Sequence, residues 1–172
     1  MASAPTPLIA GTLYLVATPI GNLEDITLRA LRVLKECDVV AAEDTRRSGL
    51  LLKHFEIRKP LISYFQHNEA RRSVEIVERL TNGETVALIT DAGTPGISDP
   101  GERLVREVLN AGLRVESVPG ACALISALTS SGLPTGEFHF VGFLQRKSGQ
   151  RRRMLEGLRD VSGTWVFYES PY

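Results

Sequence analysis

The sequence predicts an α/β protein: an N-terminal five-stranded parallel sheet flanked by helices, followed by the start of a second, incomplete α/β domain. Three observations carry this. Short apolar runs rich in branched residues alternate with longer stretches of helical apolar spacing between residues 12 and 118. The runs are apolar at successive positions, as strands covered on both faces are. Each run then ends abruptly in Gly, Pro, amide or charged residues (TPIGN, EDTRR, QHNE, DAGTPGISDPG, PGACA). In a parallel sheet these ends share one edge, and ligands of open α/β sheets bind there.

The elements follow in order. Residues 12–17 (TLYLVA) read as a strand buried on both faces, and residues 18–22 as a Gly/Pro loop at its carboxyl end. Asp25 or Thr27 caps a helix reaching about Glu36, with Ile26, Ala30, Leu31, Leu34 and Cys37 inward. Residues 39–42 form a short strand, then a helix runs through Leu50, Leu51 and His54, with Pro60 marking its exit. A third strand spans 61–65, and Asn68 is placed to cap a helix that carries Val74, Val77 and Leu80. Asn82 and Gly83 turn the chain into a strand at 86–90. After residues 91–100, a helix over 102–111 carries Leu104, Val105, Val108 and Leu109, Gly112 supplies the left-handed stop, and 114–118 is the fifth strand.

From Pro119 the composition shifts. A glycine-started helix rich in small residues precedes a break at 133–136, a strand at 138–143, a basic loop (QRKSGQRRR, 145–153) running into a helix to about Arg159, and a strand at 164–168. The expected organisation is a flexible leader over 1–11, an N-terminal domain over 12–118, and the first part of a C-terminal domain over 119–172. The last has only about fifty residues, too few to bury a sound core alone.

Composition sets bounds. The chain of 172 residues has 20 basic and 20 acidic side chains and 43% hydrophobic content, which suits a soluble globular protein. With no net positive charge, contact with nucleic acid must come from local patches. Cys37 and Cys122 lie in apolar contexts without any CxxC or His/Cys cluster, so reduced thiols, a cytoplasmic location and no metal site are expected. The leader has no charged start and no long apolar run, which excludes a signal peptide, and no stretch is long enough to span a membrane.

Residues 91–100 hold the densest signal. An ordinary connection takes about four to six residues, and this loop is longer and laden with Gly, Pro, Asp and hydroxyls. It is neither GxxxxGK[ST] nor GxGxxG, so the residues alone point to a small-molecule loop with the ligand unspecified. Asp91 either serves a ligand or braces the loop. Asp99 either serves a ligand or caps the following helix, and capping is the favoured role.

Read together, LYLVATPIGNLEDIT, AEDTR, HNE, VALITDAGTPGISDPG, VPGACA and FYESPY occur in an order that resembles the tetrapyrrole methylase superfamily of S-adenosylmethionine-dependent methyltransferases. Within it the motifs are similar to those of the branch that 2′-O-methylates a cytidine ribose in small-subunit ribosomal RNA. The resemblance implies two α/β domains with the cofactor in the cleft between them, a homodimer, and a longer chain than this one. It places S-adenosyl-L-methionine against Pro19, Ile20 and Gly21, against Gly93, Thr94, Pro95 and Ile97, against Cys122 and Ala123, and against Phe167 and Tyr168. These residues suit it: they offer apolar walls and backbone carbonyls and no lysine near a sulfonium cation.

A ribose hydroxyl is a poor nucleophile, so a proton acceptor at a strand end is expected. Glu43, Asp44 and His67 are candidates, with Asp44 and His67 favoured as catalytic. Against this, Asp44 can cap the helix at Thr45 and His67 can be a solvated loop residue. Arg46, Arg47, Arg146, Lys147, Arg151, Arg152 and Arg153 are candidate contacts to ribosomal RNA or the assembled small subunit, while Arg58 and Lys59 read as ordinary surface. Competing readings keep the donor but exchange the acceptor for a tetrapyrrole or a diphthine-type side chain, or make the chain a nucleotide-binding module without catalysis.

Overall fold

Five strands, β1 (Thr12–Val16), β2 (Val39–Ala42), β3 (Leu61–Ser63), β4 (Val86–Ile89) and β5 (Arg114–Val118), pair in parallel in the order β3-β2-β4-β1-β5. The computed structural model describes residues 6–170. The chain divides into two compact units, Met1–Cys122 and Ala123–Tyr172. In the first, helices α1 (Leu28–Glu36), α2 (Thr45–His54), α3 (Glu69–Thr81) and α4 (Glu102–Asn110) flank the sheet. The parallel sheet flanked by helices is the fold that the alternating pattern predicts.

The period-two geometry of a strand sorts the core into two layers. Tyr14 and Val16 of β1 join Val33 and Leu34 of α1 and Leu52 of α2. Leu13 points the other way and joins Ile76 and Leu80 of α3 with Leu104 and Val108 of α4. Every residue of β2 and β4 is buried, which explains their unbroken apolar runs. Replacing a fully buried member such as Leu34 by alanine costs about 2–5 kcal/mol.

Thr27 is the cap of α1, its hydroxyl accepting from the Ala30 N–H at 3.0 Å, while Asp25 ends a short 3₁₀ turn over Leu23–Asp25. Three expectations need correction. Val74 faces water at 70% exposure, and Ser73 and Ile76 face inward instead. The buried Tyr64 hydroxyl lies 3.2 Å from Ser73 Oγ, and this polar pair rotates the helix face away from the purely apolar pattern. Asn68 does not cap α3 with its side chain, because its amide turns back to β3, accepting from Phe65 N–H and donating to the Ser63 carbonyl. Asp99 does not cap α4. That helix starts at Gly101, whose φ of 141° suits glycine and whose N–H donates to Glu69 Oε1 at 3.3 Å.

Residues 6–9 lie along this unit. Leu8 packs on the core, the Thr6 carbonyl accepts from Arg32 and the Ile9 N–H donates to the Tyr14 hydroxyl at 2.8 Å. The first five residues of the expected leader, and Pro171 and Tyr172 of the FYESPY motif, lie outside the described residues. The first unit continues past Val118 to Cys122 because Pro119, Gly120 and Ala121 are held to it: the Ala17 N–H donates to the Val118 carbonyl and Thr94 Oγ1 donates to the Ala121 carbonyl at 3.1 Å.

The second unit pairs β6 (Phe138–Phe143) with β7 (Thr164–Tyr168) in parallel and carries α5 (Ala123–Ser130) and α6 (Ser148–Gly157). The basic run expected as a loop lies largely in α6, where Arg151, Arg152 and Arg153 fall within the helix.

Candidate active site

β1 and β4 are neighbours at the centre of the sheet, and the chain leaves them in opposite directions, β1 for β2 and β4 for β5. Such a switch point opens a crevice at the carboxyl ends of the strands. Here the loops that meet there are fastened by backbone. The Thr18 N–H donates to the Gly93 carbonyl at 2.9 Å and the Gly93 N–H returns a bond to the Thr18 carbonyl at 3.0 Å. Thr18 Oγ1 donates to the Thr90 carbonyl at 3.1 Å.

Glycine permits this approach. At Gly93 (φ 89°) a Cβ would lie 3.3 Å from Ile20 Cγ2, and at Gly120 a Cβ would stand 2.9 Å from the Ala17 Cβ. The structure thus gathers Pro19, Ile20, Gly21, Gly93, Thr94 and Pro95 with the segment entering Cys122. Pro19 and Pro95 are buried, and Ile20, Ile97 and Cys122 are half-buried. Ala123, Phe167 and Tyr168 belong to the second unit. Within it, the Tyr168 hydroxyl accepts from the Leu124 N–H at 3.1 Å, setting the end of β7 against the start of α5.

The β2 side of the crevice is charged. Asp91 braces the ends of two strands: its Oδ1 accepts from the Asp44 N–H at 3.3 Å and its Oδ2 from Arg47 at 3.1 Å. Asp44 caps α2, accepting from the Arg46 N–H at 2.8 Å and pairing with the Arg46 guanidinium. Those bonds hold its carboxyl far below the usual carboxylate range, leaving it a poor proton acceptor. Glu43 and Asp99 behave oppositely. Burial, and then the charge of Asp91, raise Glu43. Burial, and then the charge of Glu43, push Asp99 up to about 6. The Thr90 hydroxyl lies on that side too, close enough to soften the Asp99 shift but outside hydrogen-bond geometry. Glu43, Gln66, Glu69, Asp99, Arg103 and Arg106 line a cleft of about 620 Å³. His67 is exposed beside Gln66, edge-on to Phe65.

The sequence reading did not single out Ser48 and Thr90, and it assigned Asp99 elsewhere. Ser48 lies in no motif and Thr90 is the least distinctive residue of VALITDAGTPGISDPG; the fold brings Thr90, at the end of β4, to the same pocket as Ser48 of α2. Of the candidate RNA contacts, Arg46 and Arg47 are tied to Asp44 and Asp91. Arg146, Lys147, Arg152 and Arg153 are exposed and Arg151 is half-buried. Among the described residues no cluster of His, Cys, Asp and Glu could hold a metal ion, and no helix is long and apolar enough to cross a membrane.

The sequence pattern of the tetrapyrrole (corrin/porphyrin) methylases matches residues 12–172. The chain is 54% identical over 163 residues to a protein named ribosomal RNA small subunit methyltransferase I from Pseudomonas aeruginosa, covering 95% of this chain and 58% of that one. It is 52% identical over 162 residues to the protein of the same name from Halalkalibacterium halodurans, covering 94% and 56%. The chain therefore spans little more than half the length of these curated relatives. Among solved structures, the uroporphyrin-III C-methyltransferase of Thermus thermophilus complexed with S-adenosylhomocysteine superposes with a TM-score of 0.56 at 26% identity, over 78% of this chain and 60% of that one. Diphthine synthase shares the fold, with a TM-score of 0.70 over 93% of this chain and 65% of that one at 16% identity.

Proposed function

The chain belongs to the tetrapyrrole methylase family, and from that premise we infer that it is part of an S-adenosylmethionine-dependent enzyme that methylates the 2′-hydroxyl of a cytidine ribose in small-subunit ribosomal RNA. The names of its relatives, at about half identity over nearly the whole chain, support the substrate. The observation that carries the donor is the two-way Thr18–Gly93 bridge with its close glycines. It holds a backbone cradle at the switch point that any Cβ at Gly93 would crowd.

The residues present suit the donor. Pro19, Ile20, Pro95 and Ile97 supply apolar walls, and the loops supply carbonyls without a lysine. Gly21, Gly93, Thr94 and Cys122 belong to the same loops, and the family resemblance adds Ala123, Phe167 and Tyr168. When bound, S-adenosylmethionine supplies an electrophilic methyl group. The chain's own task is to hold the acceptor oxygen in line and take its proton. We assign the proton to Asp99 with Glu43 beside it, because a group poised near neutrality accepts a proton better than Asp44, which its cap and ion pair hold ionised. His67, next to Gln66 of the same cleft, is the alternative acceptor. On this reading residues 123–172 begin the second domain. The enzyme is a cytoplasmic homodimer acting on ribosomal RNA or the assembled small subunit, and the arginines of α6 meet phosphates.

The test uses the full-length protein with labelled S-adenosylmethionine and three acceptors: assembled small subunits, naked ribosomal RNA and uroporphyrinogen. Label on a cytidine ribose is expected. Label only on the tetrapyrrole, or on nothing, contradicts the proposal.

A further inference from the structure

Buried polar atoms in folded proteins are nearly always hydrogen-bonded, so each exception calls for a cause. Two exceptions adjoin one small cavity. Ser48, 3% exposed on α2, and Thr90, 2% exposed at the end of β4, both have side-chain hydroxyls without a hydrogen-bond partner. Thr12, a third such hydroxyl, stands at the opposite end of the sheet. Ser48 and Thr90 line a pocket of about 130 Å³ together with Thr18, Pro19, Leu51 and the Arg47–Asp91 pair.

Three features define what this pocket takes. Its volume is well below the ~300 Å³ at which whole-ligand sites begin and holds about four waters at ~30 Å³ each, so it admits one ring with its substituents. Its walls are mixed: Pro19 and Leu51 offer apolar surface for ring faces. Ser48 and Thr90 can each donate or accept, Arg47 only donates and the Asp91 carboxylate oxygens accept. That combination matches the polar edge of a nucleobase, which presents donors and acceptors side by side. Its position adjoins the donor cradle: it shares Pro19 and Gly21 with that cradle and opens from Thr18 toward Arg47, Ser48 and Leu51 of α2.

We propose that the pocket lined by Ser48 and Thr90 holds the base of the acceptor nucleotide, swung out of its stack, and satisfies these two hydroxyls on that base's polar edge. Enzymes that do chemistry on a base hold it extruded, by hydrogen bonds to its polar edge and by stacking on apolar side chains, and the same contacts would fix the base beside a reacting ribose. The proposal rests on the ribose methyltransferase reading and adds the residues that choose the nucleotide.

The experiment compares full-length wild type with Ser48→Ala and Thr90→Val on small subunits carrying the natural base or a substituted one at the methylated position. S-adenosylmethionine affinity is measured alongside by calorimetry. Wild type should prefer the natural base. Each variant should lower kcat/KM for it by about tenfold or more and shrink the preference between bases, with donor Kd within about twofold of wild type. Wild type that methylates both bases equally overturns the proposal without touching the parent reading. So do variants that keep the full preference, or that lose donor affinity instead, which would assign the pocket to the donor. Absence of any ribosomal RNA methylation by wild type refutes the parent reading itself.

Discussion

Two aspartates at opposite edges of one sheet divide the molecule's labour. Asp38 sits where β2 begins. Its carboxylate accepts from both the N–H and the hydroxyl of Thr85 at 2.7 Å each, and these bonds hold it below the usual carboxylate range. Asp99 sits beyond the far end of β4, half-buried beside Glu43, and is pushed up to about 6. The first is a clamp that the backbone has satisfied. The second is held where its charge is unwelcome, at the edge that also leaves Ser48 and Thr90 unpaired. Perturbed, under-satisfied groups gathered in a cleft mark chemistry better than charge alone does.

Asp99→Asn is the sharpest way to break this contrast. Loss of a proton acceptor should lower kcat by about 100-fold while donor affinity, read by calorimetry, stays unchanged. His67→Ala discriminates: a larger loss there than in Asp99→Asn transfers the role to His67. Gly93→Val comes next. A side chain at φ 89° facing Ile20 should cost about 1–3 kcal/mol of stability in denaturant titrations and weaken S-adenosylmethionine binding by about tenfold or more. Charge reversal at Arg151, Arg152 and Arg153 should weaken RNA binding and flatten its salt dependence by about one to three units of slope. An unchanged slope removes α6 from the RNA surface.

The smallest effects concern stability against pH, and the two aspartates should show opposite signs. Asp99 has its folded pKa raised, so its contribution is full below about pH 4 and is lost as pH rises through about 6. Asp99→Asn should therefore stabilise the protein at neutral pH by about 1 kcal/mol, discounted for a half-exposed carboxylate. Asp38 has its folded pKa lowered, so its contribution is present above about pH 4 and lost as pH falls through the lowered value. Asp38→Ala should cost about 1 kcal/mol at neutral pH and leave turnover alone. Melting curves from about pH 2 to 8 check both.

Strand order and pairing were not written in any one motif, yet the parallel sheet was legible because β2 and β4 are apolar at every position. The meeting of the strand-end loops was legible for a similar local reason: Gly93 of DAGTPG sits where a side chain would crowd Ile20 of TPIGN. Asp99 was misread as a cap because its spacing from Glu102 suits one. Glu69, distant in sequence, reaches the helix start instead. Val74 was misread because a helix wheel cannot know that Tyr64 wants Ser73. Ser48 and Thr90 are ordinary residues in sequence and become notable only when burial strips them of water. Long-range pairing, which local patterns do not encode, separates what was read from what was missed.

A crystal structure of the full-length protein with S-adenosylhomocysteine tests the central geometry most directly. The ligand should lie within hydrogen-bond reach of backbone atoms from both residues 19–21 and residues 93–95, with its sulfur facing the Asp99 side of the crevice. Ligand bound away from the Thr18–Gly93 bridge would contradict the account.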